Sequence, residues 1–239
     1  MTKKYQAALA FFVTLLLTGC ASMQGALKGD YYYSPAAAYA LDLSVNTFRG
    51  KVVLDERCDR TGGSTTFWDA HGRMFRIDYL DVKDSPLVNA PRFASDMTLL
   101  NLVLNNYLRE RLADSPIITS VEAAHREFLD DTDPKSVFAI VKLTVNKQKA
   151  PAGITVLDGT YYYGFLLFKK GDIIYVVQHR QDVFAPDNMK AVLLKLAGAM
   201  DIPGEHLDPS DIDRMRHMLS KMAPGNSVSP IRLCALDSN

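Results

Sequence analysis

The stretch TYYYGFLLFKKGDIIYVVQHR, residues 160–180, reads as two strands, Thr160 to Phe168 and Ile173 to Arg180, joined through Lys169-Lys170-Gly171-Asp172. Aromatic and β-branched residues fill both runs, as a pleated surface favours. Alternation puts Tyr161, Tyr163, Phe165 and Leu167 on one side, and Tyr162, Leu166 and Phe168 on the other. Both sides are apolar. A sheet buried on both faces needs a covering layer on each. Residues 187–200 (DNMKAVLLKLAGAM) carry an amphipathic helical pattern and would supply one.

Reading back from the hairpin, Val137 to Val145 is a strand that ends in the polar Asn146-Lys147-Gln148-Lys149, before a break at Ala150-Pro151-Ala152-Gly153. Residues 117–128 are ambiguous. Ile117, Ile118 and Val121 suggest a strand, and EAAHRE (122–127) suggests helix. Residues 91–113 change period: Met97, Leu100, Leu104, Leu108 and Leu112 recur at helical spacing. Ser95 or Asp96 lies near the start of this helix, and Asp114-Ser115-Pro116 stops it. Further back, KVVLDER (51–57), Ser64 to Trp68 and Arg73 to Val82 read as three strands. Asp69-Ala70-His71-Gly72 has hairpin-turn chemistry. In the third strand Phe75, Ile77 and Tyr79 alternate with Arg76 and Asp78. Residues 208–222 read as a last helix.

The resulting order is β-β-β-α-β-β-β-β-α-α. It predicts an α+β sandwich: a single antiparallel sheet covered by helices, in one globular domain over residues 35–239. The segment Phe67 to Ile77 and the Gly164 to Arg180 hairpin with its following helix give this order a resemblance to PsbP-like envelope proteins. The resemblance is topological and spans residues 50–200. It implies binding or assembly more than catalysis, since a fold alone fixes no function.

The N-terminus speaks of location. Lys3 and Lys4 precede an apolar run from Ala8 to Leu17, and Leu16-Leu17-Thr18-Gly19-Cys20 follows, flanked by Ala21 and Ser22. The run is shorter than the roughly 20 residues a spanning helix needs. This arrangement resembles a bacterial lipoprotein signal with its lipobox. An ordinary signal peptide with an incidental Cys20, or an uncleaved anchor, are the competing readings. The resemblance implies removal of residues 1–19, a diacylglycerol thioether on Cys20, and an N-acyl chain such as palmitate on its amine. A second acyl chain makes such an anchor stable. Ala21, in place of aspartate, implies the outer membrane, with the body facing the periplasm. Residues 20–34 then read as a lipid-anchored tether, and ten flexible residues span about 17 Å. Of Tyr31-Tyr32-Tyr33, packing on the domain's own flank is expected over membrane contact.

The chain of 239 residues carries 27 basic and 27 acidic residues, 48% hydrophobic and 23% charged. That composition fits a folded body. The signal segment holds two lysines and no acid, so the remainder has 25 bases against 27 acids, a formal −2. Such a balance gives no support for nucleic-acid binding. In an oxidising periplasm Cys58 and Cys234 would form a disulfide. The alternative is two buried thiols.

Chemistry is sparse. The five histidines form no HxH or HExxH pair, so no metal or other cofactor is expected beyond the lipid on Cys20. Leu129 to Pro134 is the densest acidic run and lacks EF-hand spacing, so it reads as a polar loop. Arg60 to Thr66 offers hydroxyls and flexible amides but no P-loop lysine, and reads as a hairpin. Trp68, with Tyr161 and Tyr163, is the candidate binding surface, against packing at a core or edge. The leading expectation is a non-catalytic binding or assembly factor with an envelope protein as partner. The alternatives are an envelope hydrolase using residues among Asp55, Glu56, Asp78, His125 and His179, and a carrier of a small apolar ligand.

Overall fold

The computed structural model describes residues 25–35, 38–45, 47–59, 61–86, 88, 95–113, 116–149 and 158–202. Three short strands come first: β1 (Ala26–Lys28), β2 (Tyr31–Tyr33) and β3 (Ala40–Asp42). β4 (Val53–Asp59), β5 (Gly62–Trp68) and β6 (Met74–Asp81) form a meander. Helix α1 (Asp96–Leu108) crosses to a second meander of β7 (Ile118–Leu129), β8 (Ser136–Val145), β9 (Gly159–Lys170) and β10 (Ile173–Gln181). Helix α2 (Pro186–Ala197) and β11 (Met200–Asp201) follow. The meanders join edge to edge in one antiparallel sheet of order β4-β5-β6-β10-β9-β8-β7.

The α+β class and the β-β-β-α-β-β-β-β-α succession of the large sheet agree with the sequence. The expected single sheet does not. β1, β2, β3 and β11 form a second, four-stranded sheet, so the body is more sheet-rich than expected. Strands of two or three residues are too short to show a period of two. Residues 26–33, part of the expected tether, form a hairpin. Tyr32 is fully buried, as flank packing requires.

The two apolar sides of the 160–180 hairpin are covered by different layers. On one face Leu100, Val103 and Leu104 of α1 pack on Ala139, Phe165, Leu167 and Val176. The Ser95 hydroxyl accepts from Thr98 N at 3.2 Å and caps this helix. The helix ends at Leu108 in a π turn, Arg109–Ala113, and not as regular α-helix through residue 113. On the other face α2 and the small sheet lie over Phe75, Ile77, Tyr79, Leu166, Tyr175 and Val177. Tyr39 packs edge-on to both Tyr79 and Tyr175, at 6.1 and 6.4 Å between centroids. The Tyr175 hydroxyl donates to Ala38 O at 2.7 Å. Such side chains each contribute about 1.5–3 kcal/mol on burial. α2 approaches β9 closely because Gly164 has no side chain. A Cβ there would meet Met189 and come within 3.0 Å of Leu193 Cδ1.

Residues 118–129 settle as the edge strand β7, with register shifts near Thr119 and Ala124. Tertiary pairing overrides the helical composition of EAAHRE, and the exposed charges suit an edge. Arg126 donates to Asn101 and Asn105 of α1 at 2.9 Å. On the opposite face Lys190 of α2 binds Glu127 at 3.0 Å. The edge is thus clipped to a helix on each side. The signal segment, Cys20, the 208–222 helix and Cys234 lie outside the described residues.

Candidate functional site: a cleft between the 69–73 turn and helix α2

The β5–β6 turn folds around Asp69. Gly72, at φ +73°, donates its N–H to Asp69 O at 2.9 Å, a backbone shape that glycine adopts without strain. Asp69 Oδ1 accepts from His71 N and Arg73 N at 2.9 and 3.0 Å. Oδ2 accepts from Arg49 N at 3.1 Å and from Arg73 Nε at 2.8 Å. Arg73 Nη2 also donates to Thr47 O at 2.6 Å. One carboxylate therefore ties the 47–49 segment to the turn. Burial pushes the Asp69 carboxyl up, but the hydrogen bonds from Arg73, His71 and Arg49 outweigh it and hold the group below the usual range. Phe48 anchors the same segment, against Phe75 at 5.1 Å and Phe67 at 5.7 Å.

His179 comes from β10, beside Phe75. The two rings stack at 4.4 Å with 7° between planes, and the imidazole is only 3% exposed. Its Nδ1 lies 2.9 Å from Met74 O. A carbonyl only accepts, so Nδ1 carries the proton and Nε2 presents a lone pair. Burial lowers the pKa below the ordinary imidazole value, which keeps the ring neutral at pH 7. Nε2 has no hydrogen-bond partner among the described residues. Thr47, 4% exposed, has a buried hydroxyl that is likewise unpartnered.

Thr47 and His179 line one cleft of about 750 Å³. Arg49 and Lys195 line it too, and their side chains form no ion pair among the described residues. Asp182 is the carboxylate of the described lining, and Val183 and Val192 make an apolar wall. Arg180 lines the sheet end, but its guanidinium lies 5.1 Å over the Tyr161 ring, on the α1 face of the sheet. The volume falls within the range of small-molecule sites, roughly 300–1,000 Å³.

The residues singled out in the sequence scatter around this cleft. Trp68, 37% exposed, stands on β5 on the α1 side. Tyr161 and Tyr163 share that face on β9, but β6 and β10 intervene, a separation of roughly 14 Å at ordinary strand spacing. Trp68 packs at an open sheet end and does not touch the tyrosines. Of the five polar candidates only His179 reaches the cleft. Asp55 is exposed beside Arg57 at 3.8 Å. Glu56 accepts from Gly25 N at 3.0 Å and from the Tyr32 hydroxyl, and so holds the small sheet to β4. His125 sits 3.5 Å from Glu127 on the far edge. Asp78 is sealed under α1, where it accepts from Arg76 Nε at 2.8 Å, Gln178 Nε2 at 2.9 Å and the Tyr107 hydroxyl. Burial, with Asp78 adjacent, pushes the Tyr107 hydroxyl well up, so it stays protonated and donates. Both faces of the 161–177 hairpin, the expected apolar-ligand wall, are packed by core side chains. Cys58 lies in β4. No group of three or more metal-ligating side chains occurs among the described residues, and no helix there is long and apolar enough to cross a membrane.

No family model matches the chain, and no curated protein does either. Among solved structures it is similar to a protein of Bacteroides thetaiotaomicron VPI-5482, at 11% identity and a TM-score of 0.36. The similarity covers 79% of this chain and 57% of that one, so the chain spans little more than half of that protein's length.

Proposed function

We propose that this chain is a lipid-anchored envelope protein that acts by binding, through the cleft between the 69–73 turn and α2. The lipobox-like residues 16–20 support the anchor on Cys20, and Ala21 supports the periplasmic face of the outer membrane. The single observation that carries the binding role is the cleft: about 750 Å³, lined by the buried, unpartnered hydroxyl of Thr47 and by His179, whose Nε2 has no hydrogen-bond partner among the described residues. Buried polar groups are normally paired, and each one left unpaired costs about 1–3 kcal/mol. A bound partner that pairs the Thr47 hydroxyl recovers that cost. A non-catalytic role also fits the scatter of Asp55, Glu56, Asp78 and His125 away from His179. A hydrolase would need an acid, base or nucleophile converging on one point.

The test joins address and site. Wild type and Cys20→Ala are fractionated, each with a photo-crosslinking residue at Val183, which is 70% exposed on the cleft rim. The wild type is expected in the membrane fraction with a discrete adduct, and Cys20→Ala in the soluble fraction. Membrane retention of Cys20→Ala would refute the anchor. Absence of any adduct from the membrane-bound protein would refute binding at the cleft.

A further inference from the structure

We infer that the cleft seats an anionic sugar, a hydroxyl-bearing ring with one carboxylate or phosphate. The inference rests on the binding reading above and deepens it. Its basis is the mismatch between the two kinds of group that line the cleft. His179 Nε2 is an acceptor only, because Nδ1 holds the proton against Met74 O. The ligand atom that meets it must donate a hydrogen bond. A carboxylate or a fully ionised phosphate cannot, whereas a hydroxyl can. The Thr47 hydroxyl, buried and unpartnered, donates and accepts, and so matches a second hydroxyl.

Arg49 and Lys195 set the opposite demand. Both are exposed lining residues without an ion-pair partner among the described residues, and each is a donor only. Arg73 differs, since Asp69 and Thr47 O already engage its guanidinium. The unpaired charge of the lining is therefore that of Arg49 and Lys195 against Asp182. A neutral sugar would satisfy Thr47 and His179 and leave both cations without an anion. Acetate would satisfy the cations and leave Nε2 unpaired, and inorganic phosphate, although its P–OH can donate to Nε2, offers no apolar face to Val183 and Val192. One molecule with both functions carries a matching partner for each of the four groups. Val183 and Val192 offer a wall for the C–H face of its ring.

Full-length protein in detergent micelles is titrated calorimetrically with glucuronate, glucose 6-phosphate, glucose, acetate and inorganic phosphate. The expected result is that at least one charged sugar binds tenfold or more tighter than glucose and tighter than its own bare anion. Preference for glucuronate assigns a carboxylate, and preference for glucose 6-phosphate assigns a phosphate. Arg49→Gln and Lys195→Gln, both at exposed positions, should each weaken the charged sugar about tenfold and leave glucose unchanged. Thr47→Val, its fold verified by circular dichroism, should weaken the charged sugar and glucose alike. Glucose binding as tightly as both charged sugars, no charged sugar binding, or an Arg49→Gln/Lys195→Gln double variant with wild-type affinity would each overturn the inference. If no charged sugar binds while the Val183 crosslink still forms, the sugar assignment falls and the binding role stands.

Discussion

Asp78 on the α1 face and Asp69 at the β5–β6 turn are both nearly sealed from solvent, at 3% and 5% exposure. Asp78 is surrounded by side chains: Arg76, Gln178 and Tyr107 close on it, and Gln178 Nε2 also donates to the Tyr107 hydroxyl at 2.7 Å. Every member of that cluster has a partner inside it. Asp69 instead spends its acceptors on three backbone N–H groups and Arg73. It shapes two loops, one of which brings Thr47 to the same cleft as His179 of β10, and both of these polar groups are left unmatched. Burial of a carboxylate therefore does not mark a site. What its neighbours still lack is the more informative quantity.

The contrast can be broken most forcefully at Asp78. Asp78→Ala strands Arg76, Gln178 and Tyr107 and should cost about 3–5 kcal/mol in urea unfolding. Under conditions where the variant remains folded, cleft binding should survive. Its loss would mean that the two faces are coupled. Asp69→Ala should cost less, about 2–3 kcal/mol, because the loops it ties are nearer to solvent. Binding at the cleft should disappear with it, even in protein that stays folded.

Two smaller effects sharpen the account. Gly164→Ala pushes α2 away from β9 and should cost about 1–3 kcal/mol by overpacking. A cost near zero would show that Met189 moves aside freely. The smallest effect is the pH dependence contributed by His179. Its folded pKa is lowered, so the unfolded chain takes up the proton first. The stability it contributes is present above about pH 6.5, the ordinary imidazole value, and is lost as the pH falls toward the folded pKa. His179→Asn, which keeps a donor for Met74 O, should flatten that part of the stability profile. The same linkage at Asp69 begins only below about pH 3.9.

The large sheet was legible because its signals are local. The 160–180 hairpin and the Phe75, Ile77, Tyr79 alternation each announce a period of two, and α1 announces its own period through Leu100 and Leu104. The Asp69 to Gly72 turn was legible for the same reason. β7 was ambiguous because an edge strand keeps charged residues that also suit a helix. The small sheet was hidden by strands of two and three residues, and the run Tyr31-Tyr32-Tyr33 was the one hint that this segment packs on the body. The cleft was hidden more deeply. His179 was among the polar residues singled out, but Thr47 and Arg49 lie far along the chain from His179 and Lys195, and none of them belongs to a motif. Only the fold places them around one volume.

The most direct measurement compares the two faces in living cells. A photo-crosslinking residue is placed at Val183 on the cleft rim or at Val53, 60% exposed on β4 toward the α1 side. The account predicts a discrete adduct from Val183, diminished by Arg49→Gln and Lys195→Gln, and none from Val53. An adduct from Val53 with none from Val183 would contradict it and move the binding surface to the open sheet beside Trp68.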